Sequence, residues 1–158
     1  MNELLKSGKL LLTVASEGEL NAVLKGLGVK EIVPPPVWQL VEVGSIAILN
    51  TGVGKSNAAG AVSRELTLKE NQDNYYFGVL SLGLGGSYSP DLNLGESVLG
   101  LDHILIDEGT ISGEGWVTIE KSGWTRCVIA ATPGELNKCL KSKVDHLGNI
   151  GTVSTISG

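Results

Sequence analysis

Short apolar runs that stop at a glycine turn and pass into helical periodicity recur along this chain, and that alternation restricts it to an α/β arrangement. Lys9–Ala15 is a continuous apolar run, long enough for a buried strand and too short for a helix. Glu17–Leu27 follows with Leu20, Val23, Leu24 and Leu27 at helical spacing, and Gly26 and Gly28 supply stop signals. Pro34-Pro35-Pro36 is a rigid break, after which Trp38–Val43 and Ile46–Asn50 flank Gly44-Ser45 as a hairpin. Thr51-Gly-Val-Gly-Lys55 is a glycine turn leading into a helix over Ser56–Leu68, and Tyr75–Leu82 is a strand ending in the loop Gly83–Ser87. Glu96–Ile106 is a further apolar stretch, ended by Asp107-Glu108-Gly109; Gly109–Gly123 reads as an exposed excursion carrying Trp116. Thr132-Pro-Gly-Glu135 fits a capping box with proline at the first helical position, so a helix is expected to run to Lys143, before a last strand over Asn149–Ile156. Twenty-two glycines against a single phenylalanine suit such strand-to-helix turns, and no repeat or linker interrupts them.

The expected architecture is a three-layer αβα sandwich with a mixed central sheet, formed by one domain over residues 1–158. A chain of 158 residues buries roughly 68–70% of its unfolded surface, so neither metal nor disulfide is needed as a staple. In open α/β sheets ligands sit outside the carboxyl ends of the strands. Three clusters fall there: Glu17–Glu19, Gly52–Lys55 and Gly83–Ser87. A net charge of −5 argues against a nucleic-acid partner, which would call for a basic patch. Cys127 and Cys139 are too few and too far apart for a metal knuckle and suggest free thiols in a reducing compartment. No apolar run approaches the roughly 18 residues of a membrane span, and Leu10–Ala15 lacks the long apolar core of a signal peptide. The expectation is a soluble, cytoplasmic chain without metal or cofactor.

Asn50–Ser56 ends in Gly-Val-Gly-Lys-Ser between a strand and a helix, where a phosphate-cradling loop would sit. Ile104-Leu-Ile-Asp107-Glu108 even imitates the acidic pair that holds magnesium in nucleotide triphosphatases. The full loop needs a first glycine at position 49, which is leucine, and it usually follows the first strand of its domain rather than the third. A P-loop enzyme is therefore the least favoured reading. Gly83-Leu-Gly85 and Gly52-Val-Gly54 lack the third glycine of a dinucleotide fingerprint, and no Gly-x-Ser-x-Gly elbow is present. His103 and His146 are isolated and read as structural or exposed.

Four segments in order resemble the nucleoside phosphorylase and nucleosidase superfamily: Leu12-Thr-Val-Ala-Ser-Glu-Gly-Glu-Leu20, Thr51-Gly-Val-Gly-Lys-Ser-Asn-Ala-Ala59, Leu82-Gly-Leu-Gly-Gly-Ser-Tyr88 and Asp107-Glu-Gly109. Within it, Ile106-Asp-Glu-Gly109 and the ending Thr152–Gly158 most resemble the futalosine hydrolases, which remove hypoxanthine from futalosine in menaquinone synthesis; the methylthioadenosine/S-adenosylhomocysteine nucleosidases are close relatives. The resemblance implies a purine nucleosidase that hydrolyses the N-glycosidic bond of futalosine or aminodeoxyfutalosine. Its water-activating glutamate matches Glu19, and its substrate-binding positions match Gly85, Gly86, Ser157 and Gly158. It further implies a small purine nucleoside and water as substrates, no nucleic acid or membrane partner, and a homodimer or larger homo-oligomer. Alternatives are a methylthioadenosine/S-adenosylhomocysteine nucleosidase, another purine nucleoside phosphorylase, and a non-catalytic nucleoside-binding remnant.

The chemistry is consistent with those residue types. Purine N-glycoside cleavage passes through an oxocarbenium-like state and needs a base for water, partners for the sugar hydroxyls and an acid for the departing purine. A carboxylate at a helix start is favoured by the helix dipole and stays ionised. A phosphorylase commonly fixes phosphate with arginine, yet neither Arg64 nor Arg126, the chain's two arginines, lies at a pocket-edge motif. The family's methionine-glutamate motif and its leaving-group segment have no match here, Met1 being the single methionine. The expectation is a member incomplete at its C-terminal end, inefficient alone and prone to aggregate where its sheet lacks cover.

Overall fold

The computed structural model describes residues 8–30, 33–70, 75–113, 115–131 and 134–154. The chain forms two compact units, Met1–Gly86 and Ser87–Gly158.

The first unit is built on a four-stranded sheet. Its elements are β1 (Lys9–Val14), α1 (Glu17–Gly26), β2 (Gln39–Val43), β3 (Ile46–Asn50), α2 (Lys55–Glu70) and β4 (Tyr76–Ser81). Strand order is β2-β3-β1-β4; β1 runs parallel to β3 and β4, and β2 is antiparallel to β3 through the Gly44-Ser45 turn. β1 is buried from Leu10 through Val14, which explains its unbroken apolar run: a central strand covered on both faces has no polar side. Leu11, Ala47 and Leu49 form a cluster with Ala61 of α2 on one face. Leu10, Leu12, Val14 and Ile48 point the other way by strand alternation and are equally buried. There α1 lies against β1 and β3 with Leu20 and Leu24 buried. The helix–sheet–helix order of this unit thus follows from two-sided burial of β1 and β3.

Polar groups join the same elements. Glu65 of α2 is buried and accepts a hydrogen bond from the Tyr76 hydroxyl of β4 at 2.6 Å. Burial, and then that bond to Glu65, pushes the Tyr76 hydroxyl pKa well above the usual phenol range. Lys9 pairs with Glu42 across the sheet surface, and Lys69 lies 3.8 Å from the same carboxylate. Trp38 adopts a left-handed φ of 67°, held by its N–H on the Asn50 carbonyl at 2.7 Å and by Arg64 donating to its own carbonyl.

The second unit contains β5 (Val98–Leu105), β6 (Gly109–Ser112), β7 (Gly115–Thr118), β8 (Val128–Ala130), α3 (Glu135–Lys141) and β9 (His146–Thr152). β8-β5-β9 make a mixed sheet, β5 being antiparallel to β8 and parallel to β9, and β6 pairs with β7 as a separate antiparallel hairpin. The architecture is α/β with mixed sheets. One local expectation, the start of α3, is corrected, and the β6–β7 hairpin and β8 are elements that the sequence pattern does not signal. The 109–123 excursion contains the β6–β7 hairpin, and β8 forms from a run of three exposed residues whose pattern carries no alternation. α3 starts at the N-cap Gly134, which offers no side chain, rather than at a Thr132 capping box; Thr132 and Pro133 lie outside the described residues.

Leu11 is fully buried, so Leu11→Ala is expected to cost about 2–5 kcal/mol. Tyr76→Phe leaves the Glu65 carboxylate without its donor and is expected to cost about 1–3 kcal/mol. Urea unfolding of both variants followed by circular dichroism checks these values.

Candidate active site

Glu19 occupies the third position of α1, where two chain segments meet. Ser16 is the N-cap, with its Oγ accepting the Glu19 N–H at 3.3 Å, while Glu19 Oε2 accepts the Ser16 N–H at 3.0 Å. This reciprocal pair is a capping box, and its signal, serine followed three residues later by glutamate, is present in the sequence at 16–19. Glu19 is therefore more than a first-turn charge held by the helix dipole.

The same carboxylate reaches further. Oε2 also accepts the Ala15 N–H at 2.9 Å, and Oε1 accepts the Leu84 N–H at 2.9 Å. Ala15 leaves the end of β1 and Leu84 follows the end of β4, so one side chain ties together the carboxyl ends of two neighbouring parallel strands. Leu82 N–H on the Thr13 carbonyl (2.9 Å) and Thr51 N–H on the Val14 carbonyl (2.8 Å) extend the ladder at this edge. Burial alone would raise the Glu19 pKa; the N–H groups of Leu84 and Ala15, with both Ser16 donors, outweigh it and hold the carboxyl below the usual glutamate range.

The expected site residues are distributed as follows. Glu19 and the glycine loop are brought together through Leu84, whose neighbours are Gly85 and Gly86; Leu84 itself is 94% exposed and both glycines are open, with nothing within 4 Å of a Cβ built on either. Ser157 and Gly158 lie outside the described residues. Gly52-Val-Gly54 forms a tight turn with φ of 80° at Gly52 and 103° at Gly54, leading into α2. Gly52 sits against Val37 and Asn57, where a Cβ would come within 2.8 Å of a Val37 methyl. His103 is exposed on β5, and His146 at the start of β9 pairs with Glu96 at 2.9 Å. Arg64 is engaged with Trp38. Asp107 accepts from the Ser154 N–H. Among the described residues, no group of three or more His, Cys, Asp or Glu could hold a metal ion, and no helix is long and apolar enough to cross a membrane.

The fold that carries these residues is matched in solved structures. The native futalosine hydrolase of Helicobacter pylori aligns with a TM-score of 0.66 at 15% identity, over 94% of this chain and 65% of that one. A mutant of that enzyme aligns at 0.65 and 16%, over 96% and 70%. The 5'-methylthioadenosine/S-adenosylhomocysteine nucleosidase of the same organism, with butyl-thio-DADMe-Immucillin-A, aligns at 0.64 and 15%, over 94% and 65%. The chain has the nucleoside phosphorylase/nucleosidase-like fold. It spans 65–70% of the length of these structures. No family model and no curated protein matches it.

Within this nucleosidase-like fold, the lowered Glu19 pKa fixes the sign of an acid effect. The stability that Glu19 supplies is complete above the ordinary glutamate pKa and is lost as pH falls through the lower folded value. The urea midpoint of the wild type is expected to fall below pH 5 more steeply than that of Glu19→Gln, and paired unfolding titrations from pH 7 to 3 measure the difference. Ser16→Ala, which removes the cap but leaves the carboxylate, is expected to cost about 0.5–2 kcal/mol.

Proposed function

We propose that this chain carries the water-activating side of a purine nucleosidase site, with Glu19 as the base that orients and deprotonates water. The observation that carries it is the 2.9 Å contact of Glu19 Oε1 with the Leu84 N–H, which sets an ionised carboxylate against the glycine backbone at the carboxyl ends of the strands. That edge is where ligands of open α/β sheets bind. In the proposed reaction the C1'–N9 bond breaks and its electron pair stays with the purine. Water oxygen bonds to C1' and gives one proton to Glu19. The purine nitrogen takes up a proton from a general acid or from solvent.

A carboxylate with a lowered pKa is a weak base, and this chemistry tolerates one. Water becomes acidic only as it bonds to the cationic anomeric carbon, so its proton leaves late and a modest acceptor suffices. The exposed backbone of Gly85 and Gly86 would lie along the ribose and base, and the family resemblance adds Ser157 and Gly158 as substrate-binding positions.

Futalosine or aminodeoxyfutalosine is the substrate favoured by the Ile106-Asp-Glu-Gly109 segment and by likeness to futalosine hydrolase structures. Methylthioadenosine or S-adenosylhomocysteine is the second choice, favoured by likeness to the nucleosidase structures. The proposed enzyme uses water rather than phosphate, needs no cofactor, works in the cytoplasm and assembles as a homodimer or larger homo-oligomer.

Product analysis of the full-length protein with futalosine, aminodeoxyfutalosine and methylthioadenosine, each with and without phosphate, decides among these. Base release from futalosine independent of phosphate is expected, with a loss of about 10²–10⁴-fold in kcat for Glu19→Gln. Strong acceleration by phosphate would make the enzyme a phosphorylase, and near-wild-type turnover by Glu19→Gln would remove Glu19 from the reaction.

A further inference from the structure

A water-activating carboxylate needs an oxygen that water can reach, and at Glu19 most of the acceptor capacity is already used. Each carboxylate oxygen offers two lone-pair sites. Those of Oε2 are taken by the Ala15 and Ser16 N–H groups, and one of those of Oε1 is taken by the Leu84 N–H. Counting N–H donors alone, one site on Oε1 remains unfilled.

Gly83 precedes Leu84 and lies beside that oxygen. A Cβ built on Gly83 would stand 2.8 Å from Glu19 Oε1 and 3.5 Å from its carboxyl carbon, the first distance being closer than a carbon atom can approach. The end of a glutamate side chain usually steps aside at little cost. This one is fixed by three N–H groups, so moving it breaks the Leu84 bond or the Ser16 half of the capping box. Gly83 does not belong to the glycines with positive φ, so its backbone does not itself call for glycine. The requirement comes from Glu19 Oε1.

We propose that Gly83 is a positioning residue for the reaction, its missing side chain leaving the space in which Leu84 N–H holds Glu19 Oε1 and in which that oxygen meets the attacking water. The role rests on the nucleosidase reading above. Its structural half, control of the carboxylate by position 83, is measurable without turnover.

The experiment uses full-length protein labelled with ¹³C at the glutamate carboxyls and with ¹⁵N, comparing wild type, Gly83→Ala and Gly18→Ala. Gly18 neighbours Glu19 in sequence, and its added Cβ would meet only Ser16 Oγ, at 4.0 Å. In Gly83→Ala the Glu19 titration is expected to move up towards the ordinary glutamate range, and the Leu84 amide proton should cease to follow it. The kcat for base release should fall roughly 10–100-fold, with a smaller change in KM. Gly18→Ala should retain the wild-type titration and rate. An unchanged Glu19 titration in Gly83→Ala overturns the proposal whatever the rate, and so does a moved titration with wild-type kcat. Should Gly83→Ala not fold, the wild type decides: a Leu84 amide shift that tracks Glu19 supports the proposal, and one indifferent to it overturns it. Retained turnover in Glu19→Gln would defeat the nucleosidase base separately, since the titration readouts do not depend on it.

Discussion

Backbone N–H groups that leave a parallel ladder at a strand end must find acceptors elsewhere, because an orphaned donor costs as much as a lost hydrogen bond. Here one carboxylate meets that demand for two strands. Glu19 takes the N–H groups of Ala15 and Ser16 after β1 and that of Leu84 after β4. The Thr13 and Val14 carbonyls take those of Leu82 and Thr51 in the same row. The start of α1, the turn before α2 and the glycine loop after β4 are therefore fixed relative to one another within the first unit. A neutral acceptor could satisfy the same donors, but an ionised one binds them about twice as strongly.

How far the fold could be read from residues depended on burial. β1, α1 and β3 fall within a residue or two of where apolar runs and helical spacing put them, because those runs exist to be buried: Leu11, Leu20 and Ile48 have no exposed surface. In the second unit Cys127 is the one buried residue among those described. There β5 still falls within the apolar stretch Glu96–Ile106, but elsewhere pattern and structure part company. Ile111 is 81% exposed on β6, and Val128 and Ile129 are exposed on β8, so side-chain polarity says little about which way a strand faces. β6, β7 and β8 are held by backbone pairing, to which composition is blind. The start of α3 was lost to a different cause: Thr132-Pro-Gly-Glu135 satisfies a capping pattern in type and spacing, yet the helix begins one peptide after Gly134.

The candidate site was legible in part. Glu19 was found by resemblance, and the Ser16-x-x-Glu19 spacing would have found its local duty. Its contact with Leu84, 65 residues away, could not be read from either segment, since it depends on β1 and β4 being neighbours in register. Gly83 looked like one more turn glycine, and only the carboxylate beside it distinguishes it from Gly85 and Gly86, which face open space.

The capping contacts of Glu19 and the catalytic duty proposed for it are compatible for a physical reason. A base that deprotonates a neutral water early needs a pKa near the working pH, and three N–H donors push a carboxyl the wrong way for that. A base that meets water already half-bonded to a sugar cation needs something else: fixed charge, fixed direction and no reorganisation at the moment of reaction. Backbone donors supply all three, since N–H groups at strand ends move less than any side chain and keep the carboxylate ionised. They also divide its two oxygens, with two N–H groups on Oε2 and one on Oε1 at the glycine loop. The hydrogen bonds that make Glu19 a good cap are then the ones that determine which of its lone pairs can meet water.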